Sequence, residues 1–373
     1  MPPLSLLIKP SSSECNSKCK YCFYNSISEL RNEKSYGLMS LKTLEIIVEK
    51  ALTYSDYECT FMFQGGEPTL VGLEFYEKLI EFQNKYNNKN IKVYNAIQTN
   101  GININEQWAM FFHEHNFLVG ISLDGPKEIH DRNRMNLAEK STFNQVMKAI
   151  GLLDKYQVEY NILSVISGYA AKHAQKIYSF FKRQNFKYLQ FIPCLDPLDE
   201  VPGTLDHSLT PENYTIFLKE SFDQWYRDIM KGEIISIRYF DNLLAVLLGH
   251  SPEACGMSGK CSCQFVTEAN GNIYPCDFYV TDNWYLGNIA KHDFEEIKNS
   301  QNSKKFIEES YNIGKECRDC KWFNLCRGGC KRYKEPMVDN QPSENYFCTS
   351  YKEFFDYAYD RLYKIASMIS QRQ

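Results

Sequence analysis

No apolar run in this chain approaches the roughly 20 residues that a membrane-spanning helix needs. The opening stretch, MPPLSLLIKP, holds only a short apolar run before the sequence turns polar. A secretory leader or membrane anchor is therefore not expected, and a cytoplasmic protein is. An excess of charge of one sign is also lacking. With 42 basic and 46 acidic residues the formal charge is -4, so the chain as a whole offers no platform for a nucleic-acid backbone. Low-complexity tracts and short-period repeats are missing too, which argues against a disordered chain or a solenoid. Length is sufficient: 373 residues, 43% of them hydrophobic, can build one large domain carrying a smaller one.

Cysteine is abundant. Fourteen cysteines in a chain without a leader are poorly explained as an extracellular disulfide scaffold, and metal ligation explains them better. Three fall between Cys15 and Cys22 and nine between Cys255 and Cys348, which suggests two metal-bearing regions. The 26 tyrosines and 24 phenylalanines read mainly as packing residues.

Hydrophobic periodicity predicts strands at Leu4–Lys9, Cys59–Phe63, Ile91–Ile97, Phe117–Leu123, Glu159–Ile166 and Tyr188–Ile192. Helices are predicted between them, including one capped by Ser40, with a single run from Ala171 to Arg183. Six strand–helix units imply parallel strands covered by helices. The fold class is α/β, an incomplete (β/α)6 TIM-like barrel followed by a cysteine-rich domain. Gln64–Pro68, Gln98–Gly101 and Ser122–Pro126 follow strands, where sites in such folds gather. Helices near Glu212–Lys231, Tyr239–Leu248 and Tyr351–Met368 complete the pattern. We divide the chain at 1–235, 236–348 and 349–373, the last being a helix that packs back on the protein.

The segment Cys15-Asn-Ser-Lys-Cys19-Lys-Tyr-Cys22 puts three thiols on one loop after the first strand. Thiolates suit iron–sulfur chemistry, and three of them leave one tetrahedral position open. Zinc with a distant fourth ligand fits the same residues. The C-x3-C-x2-C spacing, with Tyr21 before the third cysteine, resembles the signature of radical S-adenosylmethionine enzymes. The resemblance covers most of Leu4–Ile192 and implies that Cys15, Cys19 and Cys22 hold a [4Fe–4S] cluster. In that family S-adenosylmethionine occupies the open iron and yields a 5′-deoxyadenosyl radical.

Gly65-Gly66-Glu67-Pro68 looks like the same family's GGEP motif, although alone it also reads as an ordinary strand-ending turn. The resemblance makes Gly65, Gly66 and Glu67 cofactor contacts, with Tyr24 near adenine, Gln64 near the methionyl end and Ser122 near ribose. The backbone at Leu195 is expected to approach adenine, and Asp124 to support a neighbouring loop.

Between Cys317 and Cys330 the order C-x2-C-x5-C-x3-C indicates soft-metal ligation, with structural zinc as the alternative. With Cys255, Cys261, Cys276 and Cys348 it resembles a SPASM domain. That resemblance implies two further [4Fe–4S] clusters, one on Cys255, Cys261, Cys276 and Cys330 and one on Cys317, Cys320, Cys326 and Cys348. Cys263 is then free, and Cys59 and Cys194 are packing residues.

Asp277, beside Cys276, is either a proton acceptor next to a cluster or a locally hydrogen-bonded surface carboxylate. The full pattern is similar to the anaerobic sulfatase-maturating enzymes. It implies oxidation of a cysteine or serine in an unfolded sulfatase segment of CxPxR type to Cα-formylglycine, with Asp277 as base. The implied partners are that peptide and a low-potential donor such as flavodoxin or ferredoxin, with no nucleic acid, no membrane and a monomeric state. Arg238, Arg327 and Arg332 are charges available to a substrate. Thioether or carbon–carbon bond formation on a peptide is the enzymatic alternative, and a zinc-dependent binding module the non-enzymatic one.

Overall fold

The protein is described by a computed structural model that covers residues 3–335 and 344–371. In chain order its strands are β1 (Leu4–Ile8), β2 (Glu58–Phe63), β3 (Lys92–Thr99), β4 (Leu118–Ser122), β5 (Tyr160–Ile166), β6 (Tyr188–Pro193), β7 (Ser236–Ile237), β8 (Val266–Thr267), β9 (Asn272–Tyr274) and β10 (Gly287–Asn288). They fall into two compact units that interleave along the chain. The first comprises Met1–Ser122, Arg134–Tyr160 and Cys263–Phe306, and the second Leu123–Asn133, Asn161–Ser262 and Ile307–Gln373.

The first unit has the strand order β10-β9-β8-β1-β2-β3-β4. Neighbours from β8 through β4 are parallel, and β9 and β10 turn back antiparallel at the edge. In β1, alternation puts Leu4, Leu6 and Ile8 in the core. Register pairs Ile8 with Phe63, Phe63 with Ile97 and Thr99 with Ile121. The carboxyl ends of β1 to β4 are thus level, and the segments starting at Lys9, Gln64 and Asn100 leave from the same end as Ser122. Ser40 caps the helix Leu41–Tyr54 by accepting from Thr43 N, as the sequence predicts.

In the second unit β5, β6 and β7 run parallel. The helix Pro211–Met230, capped by Thr210 and opened by Pro211, packs against the helix Cys348–Ser370. Phe222 meets Phe354 at 5.6 Å between ring centroids, and Phe354 stacks on Phe240 at 5.9 Å. The strands of neither unit close into a barrel, so the fold is mixed α/β with an open parallel sheet. Residues 372–373 of the terminal-helix assignment lie outside the described residues.

Two local expectations change. The single helix predicted over Ala171–Arg183 is two helices, Gly168–Ala171 and Ala174–Arg183. The break falls at Lys172 and His173, whose amides bond three residues back to Tyr169 O and Ala170 O, after which His173 O opens the second helix by accepting from Ile177 N. In the cysteine-rich stretch, β8 extends the first unit's sheet beside β1, and runs of two or three residues carry no periodicity that would predict it.

Asp241 in the second unit gives a pH test. Burial raises its carboxyl from the ordinary value to about 6, against the opposing bond from Ser236 Oγ at 2.6 Å. A folded-state pKa above the unfolded one means that stability is highest below about pH 4 and falls as pH rises through 6. Asp241→Asn should therefore gain thermal stability relative to the parent between pH 4 and 7, read as the pH dependence of the difference in Tm.

Candidate active site and cluster ligands

The loop after β1 carries the three thiols. Cys15, Cys19 and Cys22 are half-buried, and Cys22 occupies the cap position of the helix Phe23–Glu29. Hydrogen-bond donors face the sulfurs: Ser17 N reaches Cys15 Sγ at 3.4 Å, Asn100 Nδ2 the same sulfur at 3.9 Å, and an Arg134 guanidinium nitrogen Cys19 Sγ at 3.9 Å. Burial pushes the Cys15 thiol up to about 12, the Ser17 amide pulls it down, and Glu67, Cys19 and Cys22 push it further up. A buried thiol held up in this way ionises readily only when a cation joins it. The donor set fits an iron cluster, because soft sulfurs already supplied with N–H donors are what such a cluster binds.

The turn after β2 is built onto that loop. Gly66 has φ +52, and a Cβ there would stand 2.1 Å from Glu14 O. The next amide, Glu67 N, donates to the same oxygen at 2.8 Å. The Glu67 carboxylate is buried and accepts from Thr69 N, Thr69 Oγ1, Thr99 Oγ1 and Asn100 N at 2.6–3.1 Å. Burial pushes this carboxyl up and its donors pull it back. Glu67 thereby fixes Asn100, whose amide also bonds Asn16 and Ser17 in the cysteine loop. Gly66→Ala should displace Glu14 and Cys15 together. We expect loss of iron from the first site, read from iron per chain, with the second unit's iron retained.

Asp277 belongs to the same unit as Gln64 and Lys9 and meets both. Gln64 Nε2 donates to its Oδ2 at 2.9 Å, and Lys9 Nζ stands 2.5 Å from its Oδ1. Lys9 also lies over the Tyr24 ring, 3.7 Å from the centroid. Tyr24 itself is buried, and its hydroxyl bonds Glu268, which pairs with Arg31 at 2.6 Å. Ser122 Oγ accepts from Gln98 Nε2 at 3.0 Å. Gln98 and Asn100 lie in the Gln98–Gly101 segment that the sequence picks out after the third predicted strand, whereas Lys9 and Glu268 are not singled out from the sequence. Lys9 sits at a strand end, the one available signal, and Glu268 has none.

In the second unit Asp124 is buried, and its carboxylate accepts from Val165 N at 3.0 Å. Leu195 is half-buried after β6. Cys317, Cys320, Cys326 and Cys348 line one cavity with Trp322, Tyr351 and Phe355. Cys255, Cys261 and Cys330 share a field that, after burial, raises the Cys330 thiol to about 12. Lys334, buried beside Gly328, feels thiols of both groups, Cys261 and Cys330 in one and Cys317 and Cys326 in the other. Arg332 is buried and donates to Asp196 O, Arg238 is exposed and donates to Gln190, and Arg327 is half-buried.

Cys276 and Cys263 belong to the first unit. Burial pushes the Cys263 thiol up to about 11, opposed by Phe265 N, Ser303 and Lys298, with no other thiol contributing. Cys59 and Cys194 are buried in the cores of their units. Among the described residues no three His, Cys, Asp or Glu side chains converge as a metal-ion site.

The Radical SAM superfamily model matches residues 10–181, and a model described as an iron-sulfur cluster-binding domain, SPASM, matches 255–321. A cysteine-type anaerobic sulfatase-maturating enzyme of Clostridium perfringens is 53% identical over 369 residues, spanning 99% of this chain and 100% of the relative. One from Clostridium novyi is 50% identical over the full length of both, and a serine-type enzyme of Bacteroides thetaiotaomicron is 33% identical over 95% of this chain and 89% of its own. Among solved structures, native anSMEcpe with bound AdoMet and Cp18Cys peptide superposes with a TM-score of 0.95 at 52% identity, covering 99% of this chain and 100% of that one. The cofactors are accordingly S-adenosylmethionine and [4Fe–4S] clusters. Matched over 99–100% of its length at 50–53% identity, the chain belongs to the anaerobic sulfatase-maturating enzymes.

Proposed function

We propose that this chain oxidises a cysteine residue of a sulfatase polypeptide to Cα-formylglycine. The observation that carries the reading is Asp277, whose partly exposed carboxylate stands among Gln64, Lys9 and the cofactor turn. The cysteine-type relatives at 50–53% identity, against 33% for a serine-type one, favour cysteine over serine as the target. When bound, S-adenosylmethionine on the first cluster supplies a radical that takes a hydrogen atom from the target Cβ, and the auxiliary clusters supply electron acceptors.

The chain's own residues do the rest. Gly65 and Gly66, at φ +98 and +52, let backbone approach the methionyl group, Gln64 and Ser122 offer polar contacts to the cofactor, Leu195 approaches its adenine, and Tyr24 closes the wall beneath Lys9. Asp277 takes the thiol proton of the target as its Cβ is oxidised, and the thioaldehyde so formed is hydrolysed by water to the aldehyde with loss of sulfide. We assign Cys255, Cys261, Cys276 and Cys330 to one auxiliary cluster and Cys317, Cys320, Cys326 and Cys348 to the other, three clusters in all. Residues 1–235 generate the radical, 236–348 carry the auxiliary clusters and 349–373 brace them. A flavodoxin- or ferredoxin-like donor, a monomeric state and a cytoplasmic setting complete the proposal. No described helix is long and apolar enough to cross a membrane.

The test is mass spectrometry of an oxygen-free reaction with reductant, S-adenosylmethionine and a short cysteine-containing sulfatase peptide. Aldehyde at the cysteine and 5′-deoxyadenosine are expected together. Cofactor cleavage with unchanged peptide, alongside a thioether in another precursor, would overturn the substrate.

A further inference from the structure

Lys9 has no role in the reading of the motifs, yet its side chain is wholly buried at the carboxyl end of β1. Its amide is fixed by Thr267 O at 2.8 Å. A buried ammonium is costly unless paired, and the carboxylate found for it is that of Asp277, at 2.5 Å. The pair is asymmetric: Lys9 has 0% side-chain exposure and Asp277 18%. One oxygen, Oδ1, is taken by the lysine from the protein side, and Oδ2 by Gln64 Nε2. The carboxylate is therefore held by one ion pair and one hydrogen bond, while the side chain's remaining exposure is left to whatever enters the site.

The surroundings of Lys9 make it a rigid aiming device. Its ammonium rests on the Tyr24 ring, and the tyrosine is locked in turn by Glu268 and Arg31. On its other side a Cβ at Gly65 would fall 2.7 Å from Lys9 Cγ and 2.8 Å from Nζ. The first glycine of the cofactor turn thus leaves room for the lysine as well as for a bent backbone. The same turn that serves the cofactor therefore also sets where the Asp277 carboxylate points. Coupling the two positions through one side chain suits a reaction in which hydrogen-atom removal and proton removal occur at adjoining atoms of one residue.

We propose that Lys9 is a positioning residue for the oxidation: with Gln64 it holds the Asp277 carboxylate in the orientation from which it takes the target proton. The proposal rests on the reading of Asp277 as the proton acceptor. It concerns the direction of the carboxylate, so the signature of its loss is uncoupling. The radical still forms and still samples the peptide, but fewer events end in aldehyde.

The experiment uses the reconstituted full chain and a cysteine sulfatase peptide, counting 5′-deoxyadenosine and aldehyde in the same oxygen-free reactions, with iron per chain and peptide KM as further readouts. The parent should form the two products in nearly equal amounts. Lys9→Met should raise 5′-deoxyadenosine per aldehyde by about tenfold or more, with KM changed by less than about threefold. Lys9→Arg keeps the charge but not the shape, and should recover only part of the coupling, leaving the ratio severalfold above the parent's. If Lys9→Met does not accumulate as folded, iron-loaded protein, Lys9→Arg carries the test through a severalfold rise in the ratio, because its longer planar head moves the carboxylate.

A parental ratio in whichever variant carries the test, with both products reduced equally, would mark a structural lysine and overturn the proposal. A parent that makes 5′-deoxyadenosine and no aldehyde overturns the proposed function, and this proposal with it. Parental aldehyde with unchanged coupling in the variants overturns this proposal alone.

Discussion

Asp277→Asn is expected to lower aldehyde formation by about a hundred- to ten-thousandfold, the range lost with a positioned general base, while cofactor cleavage continues. Asparagine keeps the shape of the side chain and its contact with Gln64, but it cannot take a proton. It also leaves the buried ammonium of Lys9 without its counter-charge, which typically costs about 3–5 kcal/mol in a buried pair and less here because Asp277 is partly exposed. The substitution should therefore show two separable effects, a fall in Tm and a much larger fall in product. Double substitution, Lys9→Met with Asp277→Asn, should restore part of the stability and none of the aldehyde. Aldehyde at near-parental rates from the single variant would remove Asp277 from the chemistry.

The second large effect concerns the cysteine loop. Replacing Cys15, Cys19 or Cys22 by Ala should reduce 5′-deoxyadenosine to background with or without peptide, because two thiols cannot replace three as the ligand set of one cluster. Iron should fall in proportion to one site, since Cys317, Cys320, Cys326 and Cys348 line their cavity in the other compact unit. The contrast with Asp277→Asn is the informative part: cysteine variants lose both products, the aspartate variant only one. Retained cofactor cleavage in a Cys19 variant would contradict the assignment of the open-iron cluster to this loop.

The parts of the fold that were legible in the sequence are those in which one periodicity governs a whole element. β1 to β6 and the helix behind Ser40 have alternating or 3.6-residue patterns long enough to read. The short strands β7 to β10 contain two or three residues each, and pairing rather than pattern makes them strands. Site residues were legible when chemistry demanded an uncommon residue at fixed spacing, as with Cys15, Cys19 and Cys22, or Gly65 and Gly66. Asp277 was legible only through its place next to Cys276. Lys9 and Glu268 were not, because a lone lysine or glutamate in a sequence is most often a solvated surface charge. Their burial depends on pairing with Asp277 and Arg31, residues more than 230 positions away that no local pattern connects.

The edge of β1 has a consequence for how the protein is made. β8 pairs with β1, Thr267 O holds the Lys9 amide, Glu268 holds Tyr24 and Asp277 holds Lys9. The wall behind the first three thiols thus belongs to residues 266–277. At about 5–20 residues per second, the ribosome delivers that segment on the order of ten to fifty seconds after Cys22. Through that interval the nascent cysteine loop has neither its flanking strand nor its charge partners. Iron loading of the first site then follows most of translation, and the window in which oxygen or a stray metal can reach these thiols is set by the length of the chain between them and β8.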